Sequence, residues 1–263
     1  FDYDLPNETA YAETCASIAL AQWAHRMFHL DPDSKYIDVL ERAIYNGILS
    51  GVNLEGDKFF YSNRLTALPE EIESNPHGHD VDRQPWFECA CCPTNIVRFL
   101  PSIPGYIYSK SNKDIWIHLY IQSRVNIEFN NSKIELSQKT SQPWNGKCKI
   151  SIKNKNKKSF SLYLRQPYWS KGLVIKQKKK IIQTTAQKGY IKIAVPADLQ
   201  TTIDIDLGMG INLVSSHPKV RHNNGKLAVQ RGPIIYCMEE TDNGKHLHNI
   251  SLIEKVLKPS PTN

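Results

Sequence analysis

The residues of this sequence best suited to chemistry are thiols and a carboxylate in two short stretches. Glu13 and Cys15 lie two positions apart in the first stretch, while Cys89, Cys91 and Cys92 lie within four residues in the second. Three or four thiolates with a carboxylate can supply the four tetrahedral ligands that Zn²⁺ prefers, although this spacing matches no common zinc-finger pattern. The two stretches therefore predict one zinc site, provided that the fold brings them together.

A site of this composition would have a defined reactivity. The negative ligands outweigh the charge of the ion, so the metal would be a poor Lewis acid, but it would hold a sulfur deprotonated and ready to attack an electrophilic carbon. Two simpler interpretations stay open, namely a zinc ion that only stabilises the fold and buried free cysteines without a common partner. Disulfides are disfavoured, because adjacent Cys91 and Cys92 cannot easily reach two well-separated partners with good geometry.

The spacing of these ligands restricts where they can lie on helices. Residues two apart on a helix point to different sides, so Glu13 and Cys15 can share a metal only at or just before a helix N-terminus. The same holds for Cys91 and Cys92, which precede Pro93, a residue typical of the first helical turn. Two helix N-termini are therefore predicted to converge on the site, where their partial positive charges favour thiolates.

Three helices are predicted in this part of the chain. The first covers residues 14–30, the second begins at Ser34 as its N-cap and ends near Leu49, and the third covers residues 93–100 and is ended by Pro101. The predicted inner stripe of the first helix consists of Cys15, Ile18, Ala19, Trp23 and Met27.

Other candidate functional residues lie between these helices. Glu41 lies beside apolar residues of the second helix and is either a buried functional acid or the partner of Arg42 or another neighbouring cation. Tyr61 ends an aromatic run that could form a wall for a sugar ring, although core packing explains most of it. Residues 51–65 are predicted to form a hairpin, and residues 69–85 a long polar loop in which His77 and His79 face solvent.

After Gly105 the sequence changes to short β-prone runs separated by polar turns, which predicts an antiparallel β-sandwich. The last run contains Pro233, which predicts a bulge or an edge strand. Two further cysteines in these strands, Cys148 and Cys237, are expected to be buried packing residues. The predicted strands cover residues 114–121, 125–129, 147–152, 160–165, 189–195, 201–207 and 226–238.

Composition and charge support a globular chain of two parts. The chain has 263 residues, of which 40% are hydrophobic and 22% charged, with a net charge of +7. This is too apolar for a disordered chain, and the apolar runs are too short for a membrane span. The net charge is −8 for residues 1–110 and +15 for residues 111–263. The lysines of the second part predict a solvated face, because no aromatic platform for nucleic-acid bases interleaves with them.

Four motifs give the sequence a resemblance to glycoside hydrolase family 127 and the related family 146, which contain β-L-arabinofuranosidases. The motifs occur in the family's order, with the highest specificity over residues 3–110. They are YDLPNETAYAETCA at 3–16, FFYSN at 59–63, WFECACCP at 86–93 and QRGP at 230–233.

The resemblance implies a fold and a set of functional residues. The fold class is α + β with several domains, in which residues 1–108 are part of an (α/α)6 barrel and residues 109–263 form β-sandwich domains. Zinc would be bound by Glu13, Cys15, Cys91 and Cys92, and Cys91 would be the nucleophile of a retaining mechanism with a thioglycosyl intermediate. Glu41 and Tyr61 match substrate-subsite residues.

The resemblance also implies what this chain lacks. The family's acid/base glutamate falls just upstream of Phe1, so we expect a fragment with little activity of its own, since acid/base assistance is typically worth about 10²- to 10⁴-fold. The expected partner is a carbohydrate, an arabinofuranoside or a related glycan, rather than a nucleic acid or a membrane. Exposed apolar faces of a half-barrel favour a homo-oligomer, and the compartment stays open. The alternative function is a non-catalytic carbohydrate-binding or scaffold protein that zinc holds together.

Overall fold

The structure, a computed structural model, describes residues 2–67, 83–129, 132–155, 157–182 and 185–252. The described chain is an α + β fold in which four of the five α-helices precede the strands and the sheets are mostly antiparallel. Most of the predicted polar loop, including His77 and His79, lies outside the described residues. In the described residues the α-helices are α1 Thr14–Leu30, α2 Ser34–Ala43, α3 Cys91–Phe99, α4 Pro104–Ile107 and α5 Glu240–Asn243.

Helix α1 has the predicted bounds but not the predicted inner face. Trp23 is 63% exposed, whereas Phe28 is 2% exposed. The helix has apolar residues on more than one side, so their periodicity alone does not select the face that packs against α2. The buried residues of α1 are Thr14, Ile18, Ala21, Ala24 and Phe28.

Helix α2 begins at Ser34, but its N-cap is Asp33, whose carboxylate accepts a hydrogen bond from the backbone N–H of Lys35 at 3.0 Å. The α-helix ends at Ala43 and continues as a π-helical turn, Ile44–Ile48. Such π turns replace the regular hydrogen-bond ladder for a single turn and occur often near functional sites. Here the turn presents Asn46, which donates to the carbonyl of Pro233 at 2.9 Å and accepts from the N–H of Ile235 at 2.8 Å.

The third predicted helix begins earlier than expected. Helix α3 starts at Cys91, so Pro93 is its third residue rather than its first. Pro101 does not end the helical region, because it lies in a 3₁₀ turn, Leu100–Ser102, that leads into α4. The predicted hairpin over residues 51–65 is reduced to isolated bridges, one of which pairs Val52 with Phe59.

The strands form three sheets, ordered β1-β2-β6-β9, β3-β4-β5-β10-β7-β8 and β11-β12-β13. Every pair is antiparallel except β2 with β6, which run parallel. The strands are β1 Tyr108–Lys110, β2 Asp114–Ile117, β3 Ser123–Phe129, β4 Ser132–Thr140, β5 Lys147–Asn154, β6 Phe160–Arg165, β7 Val174–Gln177, β8 Lys180–Ile182, β9 Tyr190–Val195, β10 Gln200–Asp206, β11 Ile211–Val214, β12 Ala228–Arg231 and β13 Ile234–Tyr236.

The two larger sheets share one apolar core, to which alternate residues of both contribute, so the predicted sandwich is confirmed in part. Cys148 is buried in this core at 3% exposure, as predicted, whereas Cys237 is exposed and the prediction for it was wrong. The predicted single strand at 226–238 is in fact the hairpin β12–β13. Its turn contains Gly232 at φ 57°, a left-handed conformation that glycine adopts without steric cost.

A second core lies between the helices and the four-stranded sheet. Phe28 of α1 packs edge-on against His118 and lies 5.8 Å from the ring of Tyr190 in β9. His118 is fully buried and hydrogen-bonds through its two ring nitrogens to Tyr190 at 2.7 Å and Ser109 at 2.8 Å. The helical part and the first sheet are therefore one packed unit around this histidine.

The burial of His118 predicts that acid destabilises the fold. Burial lowers the pKa of His118 well below its ordinary value, and burial with nearby His29 lowers the pKa of His25 to about 4. Below the unfolded value of about 6.5 the unfolded chain binds protons that the folded chain does not, so stability falls as the pH decreases towards 4. We expect a lower thermal midpoint at pH 5 than at pH 7, and a smaller difference in His118→Gln. If the thermal midpoint fell between pH 7 and pH 5 by the same amount in the variant as in the wild type, His118 would not be a cause of the acid sensitivity.

Large apolar side chains are exposed on the outer sides of the helices, including Trp23, Leu30 at 79% and Val97 at 69%. None of the helices in the described ranges has the length and apolar character needed to cross a bilayer.

Candidate functional site

The structure brings Glu13, Cys15, Cys91 and Cys92 together. One potential ligand atom from each lies within 4.8 Å of the others. The Sγ atoms of Cys91 and Cys92 are 3.8 Å apart, and Sγ of Cys91 is 3.6 Å from Oε1 of Glu13. Among the residues that the structure describes, no other group of histidine, cysteine and acidic side chains brings three such atoms this close.

The first two members are positioned by the start of α1. Glu13 is the N-cap residue in extended conformation, and Cys15 is the second residue of the helix. The backbone N–H of Thr14 donates to the carbonyl of Tyr61 at 3.1 Å, and its hydroxyl donates to the carbonyl of Phe60 at 2.9 Å. The first of these bonds satisfies a backbone donor that the first helical turn leaves free, and both fix the helix end against the segment that contains Tyr61.

The other two members begin α3. Cys92 is completely buried, and its thiol faces the carbonyl of Tyr61 at 3.7 Å, while Cys91 is partly exposed. Glu13 is the N-cap of α1 and Cys91 is the first residue of α3, so the N-termini of both helices lie at the cluster, and the two helices contact each other. The sequence-based prediction that two helix N-termini converge on these side chains is confirmed.

Two of the separations between donor atoms fit a tetrahedral zinc ion, and all four donor atoms lie within 4.8 Å of one another. Zn–S bonds of about 2.3 Å separate two sulfurs by about 3.8 Å, and a Zn–O bond of about 2.0–2.2 Å places the oxygen about 3.5 Å from a sulfur. The observed 3.8 Å between Cys91 and Cys92 and 3.6 Å between Cys91 and Glu13 agree with these values. The donor set, sulfur with one carboxylate, also suits zinc.

The thiols need a cation to become reactive. Burial raises the pKa of Cys91 and of Cys92, so without a nearby positive charge both would be protonated at neutral pH. A coordinating divalent ion deprotonates a thiol outright. The cluster therefore holds thiols that would be protonated and unreactive without a metal. Their positions suit a divalent ion that would deprotonate them.

Tyr61 adjoins the cluster on the side of Cys91. Its hydroxyl lies 3.4 Å from Sγ of Cys91, and its ring contacts Phe87 edge-on at 5.9 Å. The hydrogen bond with Cys91, together with burial, raises the pKa of Tyr61, so its phenol keeps the proton that it can share with the sulfur. Tyr61 also hydrogen-bonds to Tyr11 and to Cys89.

Two further residues lie beside the cluster: Tyr11, which was not singled out from the sequence, and Cys89, the fourth thiol of the sequence-based set, which is not among the four converging ligands. Tyr11 is 61% exposed and hydrogen-bonds to Glu13 as well as to Tyr61. Cys89 is exposed, and hydrogen bonds from the backbone and side chain of Cys91 lower its pKa. The alternation Tyr11-x-Glu13 in the segment just before α1, which would place these two side chains on one side of an extended chain, is the signal that could have identified Tyr11.

Glu41 takes part in a separate buried network. Its carboxylate accepts hydrogen bonds from the guanidinium of Arg165 and, at 2.9 Å, from the indole N–H of Trp169. Arg165 is fully buried, also donates to Asp38 at 2.6 Å, and donates to the carbonyl of His118 at 2.6 Å. Of the two interpretations of Glu41, the structure shows an ion pair, formed with Arg165 of β6 and not with adjacent Arg42. Its match to a substrate-subsite residue stays a prediction.

The sequence profiles of three consecutive domains match the chain in order. They are "Beta-L-arabinofuranosidase, GH127 catalytic domain" over residues 1–105, the GH127 middle domain over residues 114–209, and the glycoside hydrolase family 127 C-terminal domain over residues 211–259.

Individual relatives agree with these profiles. A non-reducing end β-L-arabinofuranosidase of Bifidobacterium longum is 35% identical over 97% of this chain, which spans 40% of that protein. The crystal structure of a GH127 β-L-arabinofuranosidase from Geobacillus stearothermophilus has a TM-score of 0.90 and 42% identity over 95% of this chain. A GH127 β-arabinofuranosidase structure has a TM-score of 0.83 and 35% identity over 92% of this chain. The chain spans about 40% of the length of these relatives.

Proposed function

Because the chain belongs to glycoside hydrolase family 127, we propose that it is the part of a retaining exo-glycosidase that supplies a zinc-bound cysteine nucleophile. The proposed substrate is a β-L-arabinofuranoside or a related furanoside, by analogy with the relatives' activity. The observation that carries the proposal is the convergence of four ligand atoms within 4.8 Å of one another at two helix N-termini. The proposed ligands are Glu13, Cys15, Cys91 and Cys92.

The proposed nucleophile is Cys91. It is less buried than Cys92, and it is the sulfur that contacts Tyr61 at 3.4 Å. Zinc, when bound, would supply the positive charge that keeps this sulfur ionised. Sγ of Cys91 would attack the anomeric carbon as the aglycone leaves with its bonding electrons, and water would then release the sugar from the sulfur.

Other groups would complete the reaction. The leaving aglycone needs a proton, which the family's acid/base glutamate would provide from a segment outside this chain. Tyr61 would donate a hydrogen bond to the Cys91 sulfur or to a hydroxyl of the sugar. Glu41 is proposed as a substrate-subsite residue whose orientation is fixed by Arg165 and Trp169.

We also propose a domain organisation on the basis of the family to which the chain belongs. Residues 1–108 would belong to an (α/α)6 barrel and residues 109–263 to β-sandwich domains. In support, the last helix before the sheets ends at Ile107, and the profile of the catalytic domain ends at residue 105. The longer protein would act on carbohydrate, without a role for nucleic acid or membranes, and the exposed apolar side chains of α1 favour self-association of this chain.

Zinc content tests the metal site directly. We expect about one zinc per chain by elemental analysis after dialysis, and a loss of thermal stability when a chelator removes it, because a metal that binds only the folded state stabilises that state. Cys92→Ala should lose the metal, since it removes a completely buried ligand.

The matched control is Cys237→Ala, because Cys237 is exposed and not part of the cluster. It should retain zinc and the same response to chelator. Zinc that persists in Cys92→Ala, or a wild-type chain without zinc, would refute the metal site. A wild-type chain with zinc whose longer parent has no glycosidase activity would instead support the scaffold function.

A further inference from the structure

An open cavity of about 620 Å³ lies on the outer face of the six-stranded sheet, away from the thiol cluster. Strands β4, β5 and β10 form its floor. Because alternate residues of a strand face opposite sides, Ile150 and Ile152 of β5 enter the core while Ser151 faces the cavity. Nine polar residues line it, of which three are cations and one is a carboxylate: Arg124, Glu135, Ser137, Ser151, Lys153, Lys178, Gln200, Thr201 and Thr202.

Three hydroxyls form a row across the floor of this cavity. Ser151 pairs in register with Ser137 on one side and with Thr202 on the other. Neighbouring strands lie about 4.8 Å apart, so the hydroxyls repeat at about that interval. Within the described ranges, none of the three hydroxyls hydrogen-bonds to another protein group, so all are available to a ligand. We call this row and its flanking cations the hydroxyl trough.

Positive charge exceeds negative charge around the trough. Three cations share the single carboxylate of Glu135, with Arg124 at 3.7 Å, Lys153 at 3.9 Å and Lys155 at 3.5 Å. Lys178 adds a further cation to the lining. Exposed ion pairs of this kind are worth less than about 1 kcal/mol, so these side chains can turn towards an anionic ligand at little cost.

The chemistry of the lining selects the kind of anion. Ser, Thr and the Gln200 amide match the hydroxyls of a sugar chain, and cations beside them match carboxylates. No aromatic side chain lines the cavity, so the stacking platform that single-stranded nucleic acids require is absent from the lining. We propose that the hydroxyl trough binds an acidic polysaccharide that carries uronate carboxylates, as a surface site separate from the thiol cluster.

Binding to the isolated chain tests the trough without any requirement for catalysis. Polygalacturonate is the anionic probe and dextran the neutral one, titrated at fixed ionic strength. We expect the chain to bind polygalacturonate and not dextran, with affinity that falls at high salt. Failure to bind polygalacturonate would overturn the proposal, and so would equal binding of single-stranded DNA.

Two variants distinguish specific binding at the hydroxyl trough from non-specific attraction to the positive charge of the chain. Arg124→Ala/Lys153→Ala should weaken polygalacturonate binding by at least about tenfold, since it removes two charge-assisted hydrogen bonds. Thr202→Val keeps the charge and the shape but removes one hydroxyl, and it should weaken binding severalfold. The control, Lys226→Ala/Lys245→Ala, removes two exposed cations outside the cavity and should bind as the wild type does.

Equal losses in the double variant and its control would show that only net charge matters and would overturn the proposal. Thermal unfolding checks that each variant is folded. If the double variant does not fold, Thr202→Val decides alone: unchanged binding overturns the proposal, and weakened binding supports it. Binding of polygalacturonate at the trough would not involve zinc. A chain that does not bind it would therefore leave the proposed glycosidase function intact.

Discussion

Replacing Cys91 by serine in the proposed full-length glycosidase is expected to reduce glycoside turnover by at least about four orders of magnitude. A hydroxyl is a far weaker nucleophile than a metal-activated thiolate, and the loss of a covalent nucleophile removes the pathway rather than slowing it. The measurement is the steady-state rate on an aryl β-L-arabinofuranoside together with the zinc content of the variant.

Zinc content separates the two roles of this residue. Serine oxygen can still bind near the ion, so a variant that keeps zinc but loses turnover identifies Cys91 as the nucleophile. Cys237→Ser, at an exposed position outside the cluster, is the control and should have the wild-type rate. A Cys91→Ser enzyme with a near-normal rate would refute the nucleophile assignment while leaving the metal site intact.

The second large effect is on stability. Arg165→Met in this chain should lower the free energy of unfolding by about 3–5 kcal/mol, because it leaves two buried carboxylates, Asp38 and Glu41, without their cation. Burial already raises the pKa of Asp38 against the opposing charge of Arg165, so part of the cost would appear as proton uptake by the variant on folding. Chemical denaturation at pH 7 measures the change.

A matched control is the exposed pair of Lys149 and Asp204, which are 3.4 Å apart with both side chains more than half exposed. Lys149→Ala should change stability by less than about 1 kcal/mol. If Arg165→Met had an effect as small as this, the buried network would not hold helix α2 to strand β6 as the structure indicates.

The candidate site was predictable from the sequence because its constraints are local. Glu13 and Cys15 can reach one ion only from a helix start, and the same condition applies to Cys91 and Cys92, so the pattern predicts that a helix begins close to each pair. The structure has α1 starting at Thr14 and α3 at Cys91. The convergence of the two stretches, 78 residues apart, depends in contrast on the packing of α1 against α3.

The buried network was not predictable, because its members are far apart in the chain. Arg165 and Glu41 are separated by 124 residues, and no local pattern links a strand arginine to a helix glutamate. Sequence periodicity gave Glu41 an inward-facing position but not its partner. Trp23 was misplaced for a related reason, since the face of α1 that becomes buried depends on which elements pack against it.

Some strands were missed because polar residues occupy buried positions. In β4 the alternation of Ile134 and Leu136 continues to Gln138, which is only 2% exposed. Its amide donates to the hydroxyl of Tyr108 at 3.0 Å and to the carbonyl of Leu119 at 3.0 Å, so the fold compensates for burying it. A hydrophobicity pattern cannot detect a buried position whose polarity is satisfied by distant residues.

X-ray absorption at the zinc edge of the metal-loaded chain tests the proposed set of four metal ligands. We expect a first coordination sphere of three sulfurs at about 2.3 Å and one oxygen at about 2.0–2.2 Å. A sphere of nitrogen and oxygen atoms, or four sulfurs with Cys89 in place of Glu13, would contradict it.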